Sequence, residues 1–320
     1  MRISLIGFGN VGRDFAKLLI RRGVDDCVVA IMASKGGVLR RDCMKARDLS
    51  RYIENGIYGE SMDMGLDDII DAGIDAAIIS IPPSYDTGEP NLSMYRKLLS
   101  SGVSVVTSDK TGLALDFAGL MAAAVKGDAN IEYRATVMAG TPAIDLVRGL
   151  WGREVNSIKA TLNATTNFVL TKIEEGLSRK DAVELAIREK LAEPDPRIDL
   201  DGWDAGAKLV ILANQLGLNA TLRDVKLSRF DADDERIRQA IKAGRRVKQV
   251  AVADMDSREM AVTLMEVDAS SPLASVSGNY NAIEIRIGGD TVSLRGPAGP
   301  SARTAEVMLA DLLRLKRAIH

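Results

Sequence analysis

The chain has 320 residues, long for one core and comfortable for two, and its 42 basic and 44 acidic side chains give a formal net charge of −2. That balance, with the basic residues dispersed rather than striped, argues against a nucleic-acid footprint, and no apolar run reaches bilayer-spanning length. The single histidine, His320, excludes Ser–His–Asp and Cys–His nucleophile systems and His-ligated zinc, which leaves acid–base chemistry to Lys, Asp, Glu or Tyr.

The first residues, Arg2-Ile3-Ser4-Leu5-Ile6, already read as a strand, so no signal peptide is expected ahead of the fold. The strand leads into Gly7-Phe8-Gly9-Asn10-Val11-Gly12. An amphipathic run from Asp14 to Arg22 follows, with Phe15, Leu18 and Leu19 facing inward, and then a second apolar strand from Cys27 to Met32. In such a unit the first glycine makes a tight turn, the second lets backbone approach a pyrophosphate, and the third allows close helix–strand packing. Amides at the helix N-terminus then face the phosphates. With strand, turn, helix and next strand in register, residues 7–12 are expected to bind a dinucleotide; a merely structural Gly turn is the alternative.

A carboxylate at the end of the second strand would hold a ribose 2′-hydroxyl. This chain has Ala33-Ser34-Lys35-Gly36-Gly37 there, with Arg40 and Arg41 beyond. A hydroxyl and cations in place of the acid suit a 2′-phosphate, so NADP is expected at Ser34 and Lys35, with NAD as the alternative. Cys27 and Cys43 stand sixteen residues apart without CxxC spacing and are expected as reduced, partly buried thiols of a cytoplasmic protein.

Helical segments at 66–71 and 92–101 precede strands at 76–81 and 103–107, an alternation that predicts a parallel, doubly wound sheet. Ligands bind beyond the carboxyl ends of such strands. Those ends carry Ile81-Pro82-Pro83 and Thr107-Ser108-Asp109-Lys110, which places Pro82, Ser108 and Lys110 at the cofactor.

After Tyr133 the pattern changes. Thr136 to Pro142 opens into a helix with Ile144, Leu146 and Val147, and 154–162 alternates as a strand ending in the polar turn Asn163-Ala164-Thr165-Thr166-Asn167 ahead of another helix. Ser178-Arg179-Lys180-Asp181 resembles a capping box for a helix running to Lys190, and a further helix is expected over 233–242. Alternating runs at 247–253, 260–267, 282–287 and 291–294 predict an antiparallel sheet. Helices on one face of that sheet would leave the other needing a partner, so a homodimer is expected. A stripe of Ala305, Met308, Leu309 and Leu312 forms a last helix.

The most informative stretch runs from Lys190 to Leu209 and packs one Glu, four Asp and two Lys around a helix start. From Gly202 the apolar residues run helically through Leu209, Leu212 and Leu216, which puts Asp204 and Lys208 at i and i+4 on one face. Glu193 and Asp199 lie on the Pro-bearing loop before it. An acid–lysine pair with carboxylates beside it suits a small zwitterion carrying an ammonium and a hydroxyl. The plainer reading is that acids gather where the helix dipole favours them.

Taken together, GFGNVG at 7–12, VVTSDK at 105–110, YRATVMAGTP at 133–142, LNATTNFVLTKIEEG at 162–176, AEPDPRIDLDGWDAGAKLVILA at 192–213, GNYNAIEI at 278–285 and GPAGPSARTA at 296–305 resemble homoserine dehydrogenase across nearly the whole chain. The resemblance implies an α/β architecture. A Rossmann-type domain covers 1–134, completed by the helix 301–320, and an α+β substrate-binding and dimerisation domain with a mainly antiparallel sheet covers 135–300. It also implies the short monofunctional form, interconverting L-homoserine and L-aspartate 4-semialdehyde by hydride transfer with NADP or NAD in threonine and methionine biosynthesis.

Carried over residue by residue, the family's substrate carboxylates fall on Glu193, Asp199 and Asp204, its proton-transfer lysine on Lys208 and a second lysine on Lys110, with Glu193 also reaching the cofactor. A lysine serves this role when desolvation and a second cation pull its pKa to roughly 7–8. The family's monovalent-cation site maps to the carbonyls of Val137, Ala139 and Thr141. Three positions depart from the pattern: Arg134 stands where an acid is expected, Leu191 follows Lys190 where the family often has Gly-Tyr, and Pro300 brings no amide to a phosphate-binding-type loop.

The enzymatic rivals lack their chemistry. An acyl-thioester semialdehyde dehydrogenase needs a nucleophilic Cys opening the second domain, and a short-chain dehydrogenase needs Tyr-x-x-x-Lys, which none of the six tyrosines provides. A non-catalytic NADP-binding sensor of the same fold is the alternative from another class.

Overall fold

A computed structural model describes residues 1–57, 60–189, 191–192 and 196–318. The chain divides into two units, one holding residues 1–112, 116–139 and 299–320 and the other residues 113–115 and 140–298.

In the first unit the chain runs β1 (Arg2–Ile6), α1 (Asn10–Arg22), β2 (Cys27–Ala33), β3 (Gly36–Leu39), α2 (Ala46–Asn55), α3 (Leu66–Asp71), β4 (Ala76–Ile79), α4 (Asn91–Ser100), β5 (Ser104–Thr107), the start of α5 (Thr111–Leu115), whose last three residues count with the second unit, α6 (Phe117–Lys126) and β6 (Ile131–Glu132). Its six strands lie in the order β3-β2-β1-β4-β5-β6. All pairings are parallel except β2 with β3, where Ala30 faces Leu39 and Ala33 faces Gly36. β4 and β5 are buried at every position, as strands with both faces covered should be. α1 buries Phe15, Ala16, Leu18 and Leu19, the expected stripe, and Gly23 ends the helix in the left-handed region at φ 56°.

The chain order reverses between β1 and β4, so the loops after these two strands flank a topological switch point, where ligands of such sheets bind. The antiparallel edge strand β3 and the helix α2 have no counterpart in the sequence reading. β3 is four residues long and opens on Gly36-Gly37, which reads as turn rather than strand.

The second unit continues with α7 (Ala143–Gly149), β7 (Val155–Thr161), α8 (Ala164–Glu174), α9 (Arg179–Arg188), α10 (Arg197–Leu200), α11 (Trp203–Gln215), β8 (Val225–Leu227), α12 (Asp234–Lys242), β9 (Arg245–Asp254), β10 (Met260–Asp268), β11 (Tyr280–Ile287) and β12 (Asp290–Pro297). Its sheet has the order β12-β11-β7-β9-β10-β8 and is antiparallel except for β8 against β10. One face buries Val247 with Val169, Leu170 and Ile237 under α8 and α12. The other is covered in part by Leu273 and Val276, which pack on Val250 and leave Val252 and Met265 half-buried. Ser178 caps α9 as the box predicts, its hydroxyl accepting from the Asp181 amide at 3.2 Å. The last helix, α13 (Ser301–Ala318), belongs to the first unit and buries Ala305, Met308, Leu309 and Leu312 in the core that holds Phe15 and Leu19.

The expected class, a doubly wound parallel sheet joined to an α+β part with a mainly antiparallel sheet, is the one observed. The expectation for the cysteines is overturned. Cys27 and Cys43 are not free thiols but a disulfide, with 5.1 Å between their Cα atoms. β2 and β3 form a hairpin, Cys27 begins it and Cys43 follows it, so pairing of the strands brings the two residues within bridging distance. A sixteen-residue spacing does not reveal that closure. No helix among the described residues is long and apolar enough to cross a membrane.

Candidate active site

At the end of β1, Gly7 has φ +90°, and a Cβ there would lie 2.1 Å from the Ser80 carbonyl oxygen. A Cβ on Gly12 would lie 2.2 Å from the Gly7 carbonyl oxygen. Gly9, the N-cap of α1, has nothing within 4 Å of the position its Cβ would take. Backbone contact therefore dictates the first and third glycines. The second leaves open room over the first turn of a helix with no acidic residue in that turn, as a pyrophosphate requires. Phe8 and Gly12 are buried, Val11 is half-buried, and Gly9 and Asn10 are exposed. The Ser80 amide donates to Ile6 O at 2.8 Å and its hydroxyl to Gly7 O at 3.2 Å, fixing the loop after β4 against this turn.

Ser34 and Lys35 are in the turn between β2 and β3, at the carboxyl end of β2, and both are exposed to solvent. Arg40 and Arg41 are engaged elsewhere: Arg40 pairs with Glu60 at 3.0 Å, and Arg41 donates to the Asp71 carbonyl at 2.9 Å.

The loop after β5 carries Ser108, Asp109 and Lys110. Asp109 is 3% exposed; its Oδ1 accepts from the Thr111 amide at 3.0 Å and hydroxyl at 2.8 Å, and its Oδ2 from Asn91 Nδ2 at 3.1 Å and the Tyr95 hydroxyl at 3.2 Å. Asn91 Nδ2 also donates to Pro82 O at 3.0 Å, and Thr111 Oγ1 accepts from the Ser84 amide at 2.9 Å. The loops after β4 and β5, which hold Pro82 and Lys110, are therefore tied through one carboxylate. Burial pushes the Asp109 carboxyl above its ordinary range, opposed by the bonds from Thr111 and by the neighbouring Lys110 charge. Burial, with the Asp109 charge, pushes the Tyr95 hydroxyl well up.

In the second unit, Lys208 Nζ donates to Asp204 Oδ2 and to Leu162 O, both at 2.7 Å, in side chains only 12% and 15% exposed. This is the i, i+4 pair that the periodicity places on one face of α11. Asn163 Nδ2 donates to the same Asp204 Oδ2 at 3.0 Å and to Asp199 Oδ1 at 2.7 Å. Thr165 Oγ1 shares its one hydrogen between Asp199 Oδ2 at 3.0 Å and Leu191 O at 2.9 Å. Burial, followed by the charge of Asp204, pushes the Asp199 carboxyl up; its bonds to Asn163 and Thr165 oppose this.

Asp199 sits on the one-turn helix α10 rather than on a loop. Gly202, in the left-handed region at φ +85°, turns the chain from α10 into α11, and a Cβ there would lie 2.8 Å from Val262 Cγ1. That turn lets two acids five positions apart converge on one amide. Glu193, the third carboxylate singled out in the sequence, lies outside the described residues.

The family model of homoserine dehydrogenase matches residues 142–313. Homoserine dehydrogenase of Sulfurisphaera tokodaii is 33% identical over 321 residues, covering 99% of each chain. The chain belongs to the homoserine dehydrogenase family. An NAD(+)-dependent homoserine dehydrogenase of Pseudomonas canavaninivorans is 32% identical, covering 98% of this chain and 96% of the relative. Among solved structures, a hyperthermophilic archaeal homoserine dehydrogenase in complex with NADPH is similar with a TM-score of 0.83 and 28% identity, covering 98% of this chain and 96% of the other.

Within the homoserine dehydrogenase frame the three departures have structural accounts. Arg134 pairs through Nε with Asp311, whose Oδ2 also accepts from the Arg134 amide at 3.1 Å. Asp311 is fully buried, and burial raises its pKa to about 6 despite the guanidinium. A guanidinium paired with Asp311 offers no acceptor atom, so the position of the family's acid supplies no ligand for a monovalent cation. Of the residues mapped to that site, Val137 and Ala139 are buried, and Thr141 donates its hydroxyl to Pro297 O at 3.0 Å. Leu191 exposes its side chain, but its carbonyl accepts from Thr165 Oγ1 at 2.9 Å, so the backbone still takes part in the acidic cluster. Pro300 turns its carbonyl to the Arg303 amide at 3.0 Å and so opens α13.

Among the residues of these networks whose roles escape sequence reasoning are Asn91, Asp109, Asn163 and Asp311. Asn163 follows a strand and precedes a helix, the signature of an N-cap, and its second role shows only once α10 is folded beside it.

Proposed function

We propose that this chain is an NAD(P)-dependent homoserine dehydrogenase interconverting L-homoserine and L-aspartate 4-semialdehyde, with NADP preferred, in threonine and methionine biosynthesis. The observation that carries the reading is the Lys208–Asp204–Asn163–Asp199 cluster in a chain of this family. Asp199 and Asp204, joined by Glu193, hold the substrate ammonium. Lys208 donates a proton to the carbonyl oxygen of the semialdehyde as it becomes an alkoxide and takes it back in the reverse direction; Lys110 stabilises the same developing charge.

Residues 7–12 receive the pyrophosphate, Ser34 and Lys35 the 2′-phosphate, and Pro82, Ser108, Lys110 and Glu193 line the nicotinamide end. The nicotinamide, when bound, supplies or accepts the hydride at C4. The segment 1–134 with 301–320 serves the cofactor and 135–300 the substrate. Both lysines and the acids are present, which disfavours a non-catalytic sensor. No step is routed through a monovalent cation at Val137, Ala139 and Thr141, because Arg134 brings no anionic ligand to that position; turnover unchanged by potassium or sodium at constant ionic strength checks this.

The partly covered face of the second sheet, with half-buried Val252 and Met265, supports a homodimer, and sedimentation equilibrium tests it. A cytoplasmic location accords with biosynthetic chemistry, and cell fractionation tests it. The deciding experiment is homoserine-dependent reduction of NADP or NAD followed by absorbance from neutral to alkaline pH; no change with either cofactor sinks the enzymatic reading.

A further inference from the structure

We propose that Asn163 is a positioning residue that holds Asp199 and Asp204 together as one substrate-binding pair and keeps Asp204 from being the private counter-ion of Lys208. The inference rests on the proposed function above and deepens it.

Two carboxylates brought out of water side by side repel one another, and without a shared donor they would part or one would take up a proton. Asn163 is 3% exposed, and its single amide nitrogen has two hydrogens, one for Asp199 Oδ1 at 2.7 Å and one for Asp204 Oδ2 at 3.0 Å. The Asp204 oxygen it reaches is also the one Lys208 Nζ touches at 2.7 Å, so that oxygen's charge is divided between an amide and an ammonium. The neighbouring carbonyl, Leu162 O, takes Lys208 Nζ at 2.7 Å and Asn281 Nδ2 at 2.9 Å, which fixes the ammonium from the other side.

Asn163 also caps α8, its Oδ1 accepting from the Thr166 amide at 2.9 Å. Asp and Ser cap helices about as well as Asn. Only Asn adds two donors to the cap, and donors are what a pair of carboxylates needs. The cap alone does not require this residue type.

The variants Asn163→Ser and Asn163→Asp separate the two roles, since both keep a cap acceptor and both lose the amide donors. Thermal melts and NADPH fluorescence titrations establish that each variant folds and binds cofactor like the wild type. For Asn163→Ser, kcat/KM for homoserine is expected to fall on the order of 10- to 10²-fold, the scale of a small misplacement of reacting groups. For Asn163→Asp, a further carboxylate enters the cluster, and the acid limb of the kcat/KM profile is expected to move up by about one pH unit or more.

A Ser variant with wild-type kcat/KM, or an Asp variant whose pH profile superposes on the wild type, overturns the inference while leaving the enzymatic reading intact. A wild-type protein without homoserine-dependent reduction overturns the reading itself.

Discussion

Asn91 Nδ2 lies 3.1 Å from Asp109 Oδ2 and so fastens the first turn of α4 to the loop that carries Lys110. The same nitrogen holds Pro82 O at 3.0 Å, which makes one side chain the link between both loops assigned to the nicotinamide. Replacing Asn91 by Ala is expected to leave a buried carboxylate and a carbonyl each short of a donor, at a cost of about 1–3 kcal/mol in stability. NADPH affinity should weaken with it. Urea denaturation and fluorescence titration read the two effects, and wild-type values in both would remove the network from the cofactor site.

Lys208→Ala is expected to lower kcat about 10²–10⁴-fold, because it removes the group that exchanges a proton with the reacting oxygen. Lys208→Arg should fall almost as far, since a guanidinium keeps its charge but cannot give up its proton at working pH. NADPH binding should persist in both. Near-normal turnover of either variant would reassign the proton transfer.

The buried Asp311–Arg134 pair gives a pH signature with a definite sign. A folded-state pKa of about 6, against 3.8 for the ordinary group, means that this carboxyl favours the folded state fully below pH 3.8 and loses that contribution as pH rises through 6. The gap corresponds to on the order of 3 kcal/mol. The stability difference between wild type and Asp311→Asn should therefore move against the wild type by about that amount from about pH 4 to about pH 7. Parallel pH dependence in urea denaturation would contradict it.

The disulfide between Cys27 and Cys43 closes a sixteen-residue separation at the base of the β2–β3 hairpin. Loss of that cross-link, by reduction or by Cys27→Ser, is expected to destabilise the first unit by about 3 kcal/mol, the value for a loop of this length. Identical denaturation midpoints with and without reductant would show that the bridge contributes nothing to stability.

Local patterns in the chain declare much of this protein. The turn at Gly7, Gly9 and Gly12 is legible because backbone clearance admits no other residue at the first and third positions. The Asp204–Lys208 pair is legible because helical spacing places i and i+4 side by side. By contrast, β3 is too short and too rich in glycine to show a strand's alternation, and α10 is a single turn after proline.

What the sequence by itself determined is therefore the order of most strands and helices, the dinucleotide turn and the lysine–aspartate face of α11, all written in periodicities over a few residues. Only the tertiary structure decided that Asn163 bridges two acids 36 and 41 positions away, that Asp311 answers Arg134 across 177 positions, and that Cys27 meets Cys43. These partners are selected by how buried charges and donors are satisfied once the layers close. That satisfaction depends on contacts far apart in the chain, and no local pattern records it.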